Sequence, residues 1–198
     1  PFLAYVLDQV ADAGVHEAVL CTGHLAEQIE ATFGSRYRGM ELRYSRETSP
    51  LGTGGALRLA LPLATGRSLL VMNGDSFCRA DLGAFLTAYR QHRNQPMLML
   101  VEVEDARRFG RVVCDVDGAV ERFVEKGEEG GRGWVNAGIY LLEKRLAEDI
   151  SSGEPVSLER QVFPTWIGHG LRGHRTTAPF LDIGTPESYA AAEAFFTR

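Results

Sequence analysis

Twice in this chain an apolar run is followed by a carboxylate with a glycine within two residues of it. Ser68-Leu69-Leu70-Val71-Met72 leads into Asn73-Gly74-Asp75-Ser76-Phe77, and Asp182-Ile183-Gly184-Thr185-Pro186 closes a second apolar stretch. Burying a carboxylate without a partner is expensive, so each Asp must be solvated, cap the next segment or hold a cation. Singly, each is accounted for by a turn before a helix. As a pair meeting at one sheet edge, Asp75 and Asp182 would offer the hard oxygen ligands that Mg²⁺ requires. Two further places carry polar chemistry inside strand-like sequence. Glu125-Lys126 closes one run, and Asn136-Ala137-Gly138 interrupts another. Lysine can act as a point charge on phosphate, and an Asn amide both donates to and accepts from a hydroxyl. The same residues also read as surface charge and as a bulge glycine.

Between Glu47 and Ala56 lies a glycine-rich junction, Glu47-Thr48-Ser49-Pro50-Leu51-Gly52-Thr53-Gly54-Gly55-Ala56. Its glycines would let backbone N–H groups come close to an anion or a flat base; equally, it reads as a tight turn opening a helix. It lacks the Gly-Lys-Ser/Thr ending of a phosphate-cradling P-loop, which excludes a kinase or ATPase of that type. His16, His24, His92, His169 and His174 have no metal-ligand spacing, and no Ser-His-Asp or Cys-His pattern is present.

The elements that must position these residues follow from hydrophobic spacing. Leu3, Val6, Leu7 and Val10 predict an opening amphipathic helix. Strand and helix then alternate: a strand over 15–22, a helix over 24–33, a strand over 40–47, a helix over 53–61, a strand over 67–72 too apolar for a wet face, and a helix over 81–93 capped by Asp81. From Met97 onward the texture changes to strand-like runs over 97–104, 110–116, 119–125 and 134–142, with Asp117-Gly118 as a hairpin turn. A short helical stretch near 158–163, a strand around 171–179 and a final helix capped by Thr185 with Pro186 in its first turn complete the reading. Alternation of this kind predicts one α/β domain over 1–198, a Rossmann-like layered sheet that becomes mixed after residue 97, with ligands beyond the carboxyl ends of the strands. Such a domain normally begins on a central strand, so a first strand and its loop are expected to be missing ahead of Pro1.

The net charge of 21 − 26 = −5, with no basic block, argues against a nucleic-acid partner. Cys21, Cys78 and Cys114 form no CxxC pair, and no apolar stretch reaches the length of a membrane span. The expectation is a cytoplasmic protein that is neither membrane-inserted nor exported.

Taken in order, the segment from Glu47 through PLGTGGAL, then NGDSF, the Glu125-Lys126 pair, NAGIY, SLE at 157–159 and DIGTP resemble the sugar-1-phosphate nucleotidyltransferases. Within that family the pattern looks most like the guanylyltransferases acting on D-glycero-D-manno-heptose 1-phosphate, with mannose-1-phosphate guanylyltransferases next. The resemblance implies a GT-A-like nucleotide-diphospho-sugar transferase fold, whose GGxGTRL-type phosphate loop would precede this chain. It implies an NTP and a sugar 1-phosphate as small-molecule partners, Mg²⁺ held by Asp75 and Asp182, and Lys126 on the sugar phosphate. Glu125, Asn136, Gly138 and Glu159 would hold the sugar. Glu47, Gly52, Thr53, Gly74 and Asp75 would face the nucleotide, with Glu47 bridging the adjacent N–H donors of guanine, so that GTP is the expected substrate. Members of the family often form dimers or tetramers. The missing loop leaves a different class in play, a non-catalytic domain that binds NDP-sugars; a cytidylyltransferase is a third reading.

Overall fold

The computed structural model describes residues 1–128 and 130–197. The order of elements is α1 (Phe2–Asp12), β1 (Glu17–Thr22), α2 (Ala26–Phe33), β2 (Arg36–Tyr37), β3 (Met40–Arg46), α3 (Gly52–Ala60), β4 (Ser68–Met72), β5 (Ser76–Cys78), α4 (Leu82–Gln91), β6 (Met97–Val103), β7 (Arg111–Cys114), β8 (Val120–Val124), β9 (Gly133–Glu143), α5 (Lys144–Glu148), β10 (Arg172–Thr176), β11 (Phe180–Asp182) and α6 (Pro186–Phe196). These fall into two compact units, one made of Leu7–Leu69 and Leu142–Trp166, the other of Pro1–Val6, Leu70–Leu141 and Ile167–Arg198.

In the first unit, β1 runs parallel to β3 in the register Glu17↔Glu41 to Thr22↔Arg46. A parallel pair needs a crossover, and α2 supplies it. Met40 and Leu42 of β3 turn inward with Leu57 and Ala60 of α3, each at most 9% exposed. Helix α3 opens at the glycine-rich junction, where Val156 meets it, as described below.

The second unit is built on a four-stranded sheet in the order β10-β6-β9-β4. Strands β10 and β6 are parallel and β6 and β9 antiparallel, which is the mixed sheet expected after residue 97. Met97 to Val101 are all 2% exposed or less, so β6 is buried on both faces. Phe85 and Tyr89 of α4 are buried to a similar degree, with the Phe85 ring 5.3 Å from that of His174 on β10. At about 1.5–3 kcal/mol for each such side chain, this layer contributes substantially to the stability of the unit. Asp81 caps α4 by accepting from the Ala84 N–H at 2.9 Å. The Asp117-Gly118 turn is present, tied down by Asp115 Oδ1, which accepts from the N–H groups of Asp117 and Ala119.

The 67–72 run, expected to be too apolar for a wet face, forms β4, the last strand in the order found among the described residues, with Ser68 exposed and Leu69 to Met72 half-buried. Two three-residue strands, β5 and β11, pair antiparallel with each other although neither has a run long enough to read from sequence.

Candidate functional site

The β5–β11 ladder decides where the two acidic residues lie. Its register is Phe180↔Cys78, Leu181↔Phe77 and Asp182↔Ser76, so Asp182 stands opposite the neighbour of Asp75. The link continues one step further, because the Ile183 N–H donates to the Asp75 carbonyl at 2.9 Å. Residues 108 apart in sequence, Asp75 and Ile183, are therefore joined backbone to backbone. Asp75 itself is exposed in the turn between β4 and β5. Asp182 is a quarter exposed; its Oδ1 accepts from the Gly184 N–H at 3.1 Å and from Arg108 Nη2.

That turn is held by a bulge in β9. Between the pairs Leu98↔Tyr140 and Leu100↔Asn136 the register shifts, and Gly138 sits in the extra loop of chain at φ +73°. The Asn73 N–H donates to the Gly138 carbonyl at 2.8 Å, and a Cβ on Gly138 would lie 2.6 Å from Ser76 Oγ and 3.0 Å from Asn73. Only glycine lets the 73–76 turn approach so closely. Ser76 is buried and donates to the Ala137 carbonyl at 3.3 Å. The Asn136 amide spans the same bulge: Oδ1 accepts from the Gly138 N–H at 2.9 Å and Nδ2 donates to the Tyr140 hydroxyl at 2.9 Å. An amide has two donors and two acceptor sites, so each side of Asn136 keeps capacity for a ligand hydroxyl. Gly74 lacks both constraints: its φ is not positive and a Cβ there would meet nothing within 4 Å.

Glu125 and Lys126 are exposed in the turn that follows β8. Backbone bonds anchor the turn, from the Gly127 N–H to the Arg107 carbonyl at 3.0 Å and from the Ala106 N–H to the Gly131 carbonyl at 3.0 Å. Arg111 Nη2 adds bonds to the carbonyls of Gly130, Gly131 and Arg132. A flexible lysine on a fixed turn suits contact with a mobile anion.

The remaining residues belong to the other unit. Glu47 follows β3, and its Oε2 accepts from the Leu51 N–H at 3.0 Å, which fixes the carboxylate at the mouth of the glycine-rich junction. A Cβ on Gly23 would lie 2.8 Å from Glu47 Oε1, so a glycine is what admits Glu47 there. The junction itself is built differently from an anion cradle. The N–H groups of Gly54 and Gly55 both point at the Val156 carbonyl, at 2.8 and 3.3 Å, and a Cβ on Gly52, at φ +68°, would lie 2.6 Å from the same oxygen. These glycines bring α3 against the 154–158 segment. Thr53 secures the contact: its hydroxyl donates to Glu159 Oε2 at 2.7 Å and accepts from the Leu158 N–H at 2.9 Å. Ser157 Oγ donates to the same Glu159 oxygen at 2.9 Å.

Arg108 is the participant that sequence reading missed. It follows Asp105 and Arg107, which form an ion pair of their own, so the stretch reads as ordinary surface charge. Nothing in its spacing points to an acid 74 positions away. Nucleophilic chemistry has no support at Cys78, because burial pushes its thiol up to about 11 and it stays protonated.

Carboxylates suit a hard divalent ion, and a cationic side chain already stands on Asp182. Among the described residues there is no cluster of three or more His, Cys, Asp or Glu able to enclose a metal. An ion at Asp75 and Asp182 would therefore draw its other ligands from water and bound phosphates, as Mg²⁺ commonly does.

The nucleotidyl transferase family model matches residues 1–198, the full chain. The chain belongs to the nucleotidyl transferase family. It is 35% identical over 202 residues to a mannose-1-phosphate guanylyltransferase of Mycobacterium tuberculosis, covering 100% of this chain and 56% of that protein. It is 32% identical over 194 residues to a D-glycero-alpha-D-manno-heptose 1-phosphate guanylyltransferase of Aneurinibacillus thermoaerophilus, covering 98% of this chain and 84% of that one. This nucleotidyl transferase thus spans little more than half the length of the mycobacterial relative. Among solved structures it superposes on HddC from Yersinia pseudotuberculosis with a TM-score of 0.87 at 31% identity, over 99% of this chain and 85% of that one. HddC has also been solved complexed with GMP-PN, and that structure matches with a TM-score of 0.84. The nucleotide-diphospho-sugar transferase fold expected from sequence is the fold observed. No helix among the described residues is long and apolar enough to cross a membrane.

Proposed function

We propose that this nucleotidyl transferase joins GTP and a sugar 1-phosphate to give a GDP-sugar and pyrophosphate. D-glycero-D-manno-heptose 1-phosphate is the first candidate acceptor and mannose 1-phosphate the second. The observation that supports the reading is the β5–β11 register, which sets Asp182 opposite Ser76, the residue after Asp75, in a member of this family. Relatives named for heptose and for mannose 1-phosphate guanylyl transfer, at 32% and 35% identity, support both candidates.

In this reading a phosphate oxygen of the sugar 1-phosphate attacks the α-phosphorus of GTP, and the bond to pyrophosphate breaks. No protein nucleophile takes part, so catalysis consists of aligning two polyanions and offsetting the charge that develops. Asp75 and Asp182 would hold Mg²⁺, which when bound supplies Lewis-acid neutralisation of phosphate charge. Lys126 presents its ammonium to the sugar phosphate from the anchored turn after β8. Glu125 and Asn136 orient sugar hydroxyls, Asn136 through the donor and acceptor it has left after bonding Tyr140 and Gly138. Gly138 lets the 73–76 turn come close, and Gly74 leaves open space beside Asp75 for the nucleotide. Glu47, held by Leu51, would accept from guanine N1–H and N2–H; uracil and thymine offer a single imide N–H there. Gly52 shapes the junction behind Glu47. Thr53 and Glu159 brace it through their mutual hydrogen bond. We assign the reaction to the cytoplasm, a reducing compartment that suits cysteines such as Cys21 and Cys114 held in no disulfide.

The test is pyrophosphate release by the full-length protein with GTP, ATP, UTP, dTTP and CTP against heptose, mannose and glucose 1-phosphates and Mg²⁺. Highest kcat/KM with GTP and a manno-configured sugar is expected. Binding of GDP-sugar without turnover under any combination would instead support the non-catalytic reading.

A further inference from the structure

Arg108 makes a set of contacts that reach beyond its own element to β11 and α6. It ends the short helical turn Ala106–Arg108, and its Nη2 reaches across to Asp182, contacting Oδ1 and, at 3.5 Å, the backbone carbonyl. The same nitrogen lies 3.3 Å from Ser188 Oγ, and the guanidinium carbon lies 5.3 Å from the Phe109 ring centroid. Asp182 therefore carries a positive charge on one of its two oxygens, at the position where the reading above needs a carboxylate for a metal ion.

We propose that Arg108 is a resident counter-ion, occupying Asp182 until a divalent ion arrives, and that metal binding at Asp75 and Asp182 breaks the Arg108–Asp182 ion pair. The inference rests on the metal reading above. A guanidinium and a divalent ion on one carboxylate repel each other, so the two compete even when they use different oxygens. The pair is built to exchange. Arg108 is 43% exposed and Asp182 25% exposed, so water screens the pair and replaces it at small cost. The carboxylate keeps its aim afterwards, because the Gly184 N–H holds Oδ1 independently at 3.1 Å. The departing guanidinium retains a place over the Phe109 ring beside Ser188. With Arg108 in place the Asp182 carboxylate is charge-balanced before a metal ion arrives, and occupancy by metal becomes a switch in which cation Asp182 holds.

Mn²⁺ binding to the protein without nucleotide, followed by loss of the free-Mn²⁺ electron paramagnetic resonance signal, tests this without relying on turnover. Arg108→Gln removes the competitor and is expected to tighten Mn²⁺ binding about two- to fivefold, the range set by a partly exposed ion pair. Arg107→Gln makes the same charge change one residue away, in a side chain paired with Asp105, and is expected to leave the affinity unchanged. Asp182→Asn is expected to weaken it. Arg108→Met, which removes the charge but keeps the length and the packing beside Phe109, gives a second reading of the same direction should Arg108→Gln fail to fold by circular dichroism. If neither Arg108 variant binds more tightly, or Arg107→Gln tightens as much, competition at Asp182 is refuted while the metal reading stands. If Asp182→Asn binds Mn²⁺ as well as the unmodified protein, the metal reading falls and this inference with it.

Discussion

Gly138→Ala probes the device that brings the Asp75 turn against β9. The residue has φ +73°, and a left-handed backbone costs a residue with a Cβ about 1–2 kcal/mol. The added methyl would sit 2.6 Å from Ser76 Oγ, forcing that buried hydroxyl off the Ala137 carbonyl and forfeiting about 1 kcal/mol of hydrogen bonding. The sum is about 2–3 kcal/mol. For a chain of 198 residues, at roughly 2–4 °C per kcal/mol, calorimetry should record a fall in Tm of about 4–12 °C. The matched control is Gly74→Ala in the same turn, where a Cβ meets nothing within 4 Å, so stability should stay within about 0.5 kcal/mol. The two variants should differ oppositely in function. Gly74→Ala should fold normally yet weaken GTP binding, because its methyl enters the space assigned to the nucleotide. Equal melting temperatures for the two variants would refute the claim that Gly138 is required by the approach of the 73–76 turn.

In the other unit, Gly52→Ala combines φ +68° with a Cβ 2.6 Å from the Val156 carbonyl and should cost about 2 kcal/mol or more by denaturant melts; a neutral result would mean the junction can shift. Thr53→Val removes the bonds to Glu159 and Leu158 and should destabilise by about 1–3 kcal/mol, whereas Thr53→Ser should recover most of that. Glu17 is held below the usual carboxyl range first by the Thr65 hydroxyl and then by the Thr65 N–H. A depressed folded pKa gives stability that is complete above the unfolded value and lost as pH falls through the folded one, so Glu17→Gln should flatten the acid limb of a Tm-versus-pH curve below about pH 4.5. An unchanged limb would remove Glu17 from acid stability. Glu47→Gln should reduce the GTP preference over UTP and dTTP by about tenfold or more, read as kcat/KM ratios, since a charged acceptor to two donors is replaced by a neutral amide.

Much of this molecule is legible in its order of residues, for a local reason. Helices α1, α2 and α4, the parallel strands and the caps at Asp81 and Thr185 follow from hydrophobic period and side-chain chemistry within a few positions. Each Asp of the acidic pair was legible as a turn residue, because each carries its own signature of strand, glycine and turn. Strands β5 and β11 were not, since three residues form no period and their backbone ladder is made with a partner far away in sequence. The glycine-rich junction was half legible: glycines announce a close approach, but whether to a ligand or to the Val156 carbonyl depends on a segment about 100 positions away. By itself the sequence determined the α/β alternation and the residue types able to bind phosphate and metal. Tertiary structure alone decided that Asp182 lies beside Ser76 and that Arg108 stands on its carboxylate, because pairings across such distances arise only when β5 and β11 close their ladder.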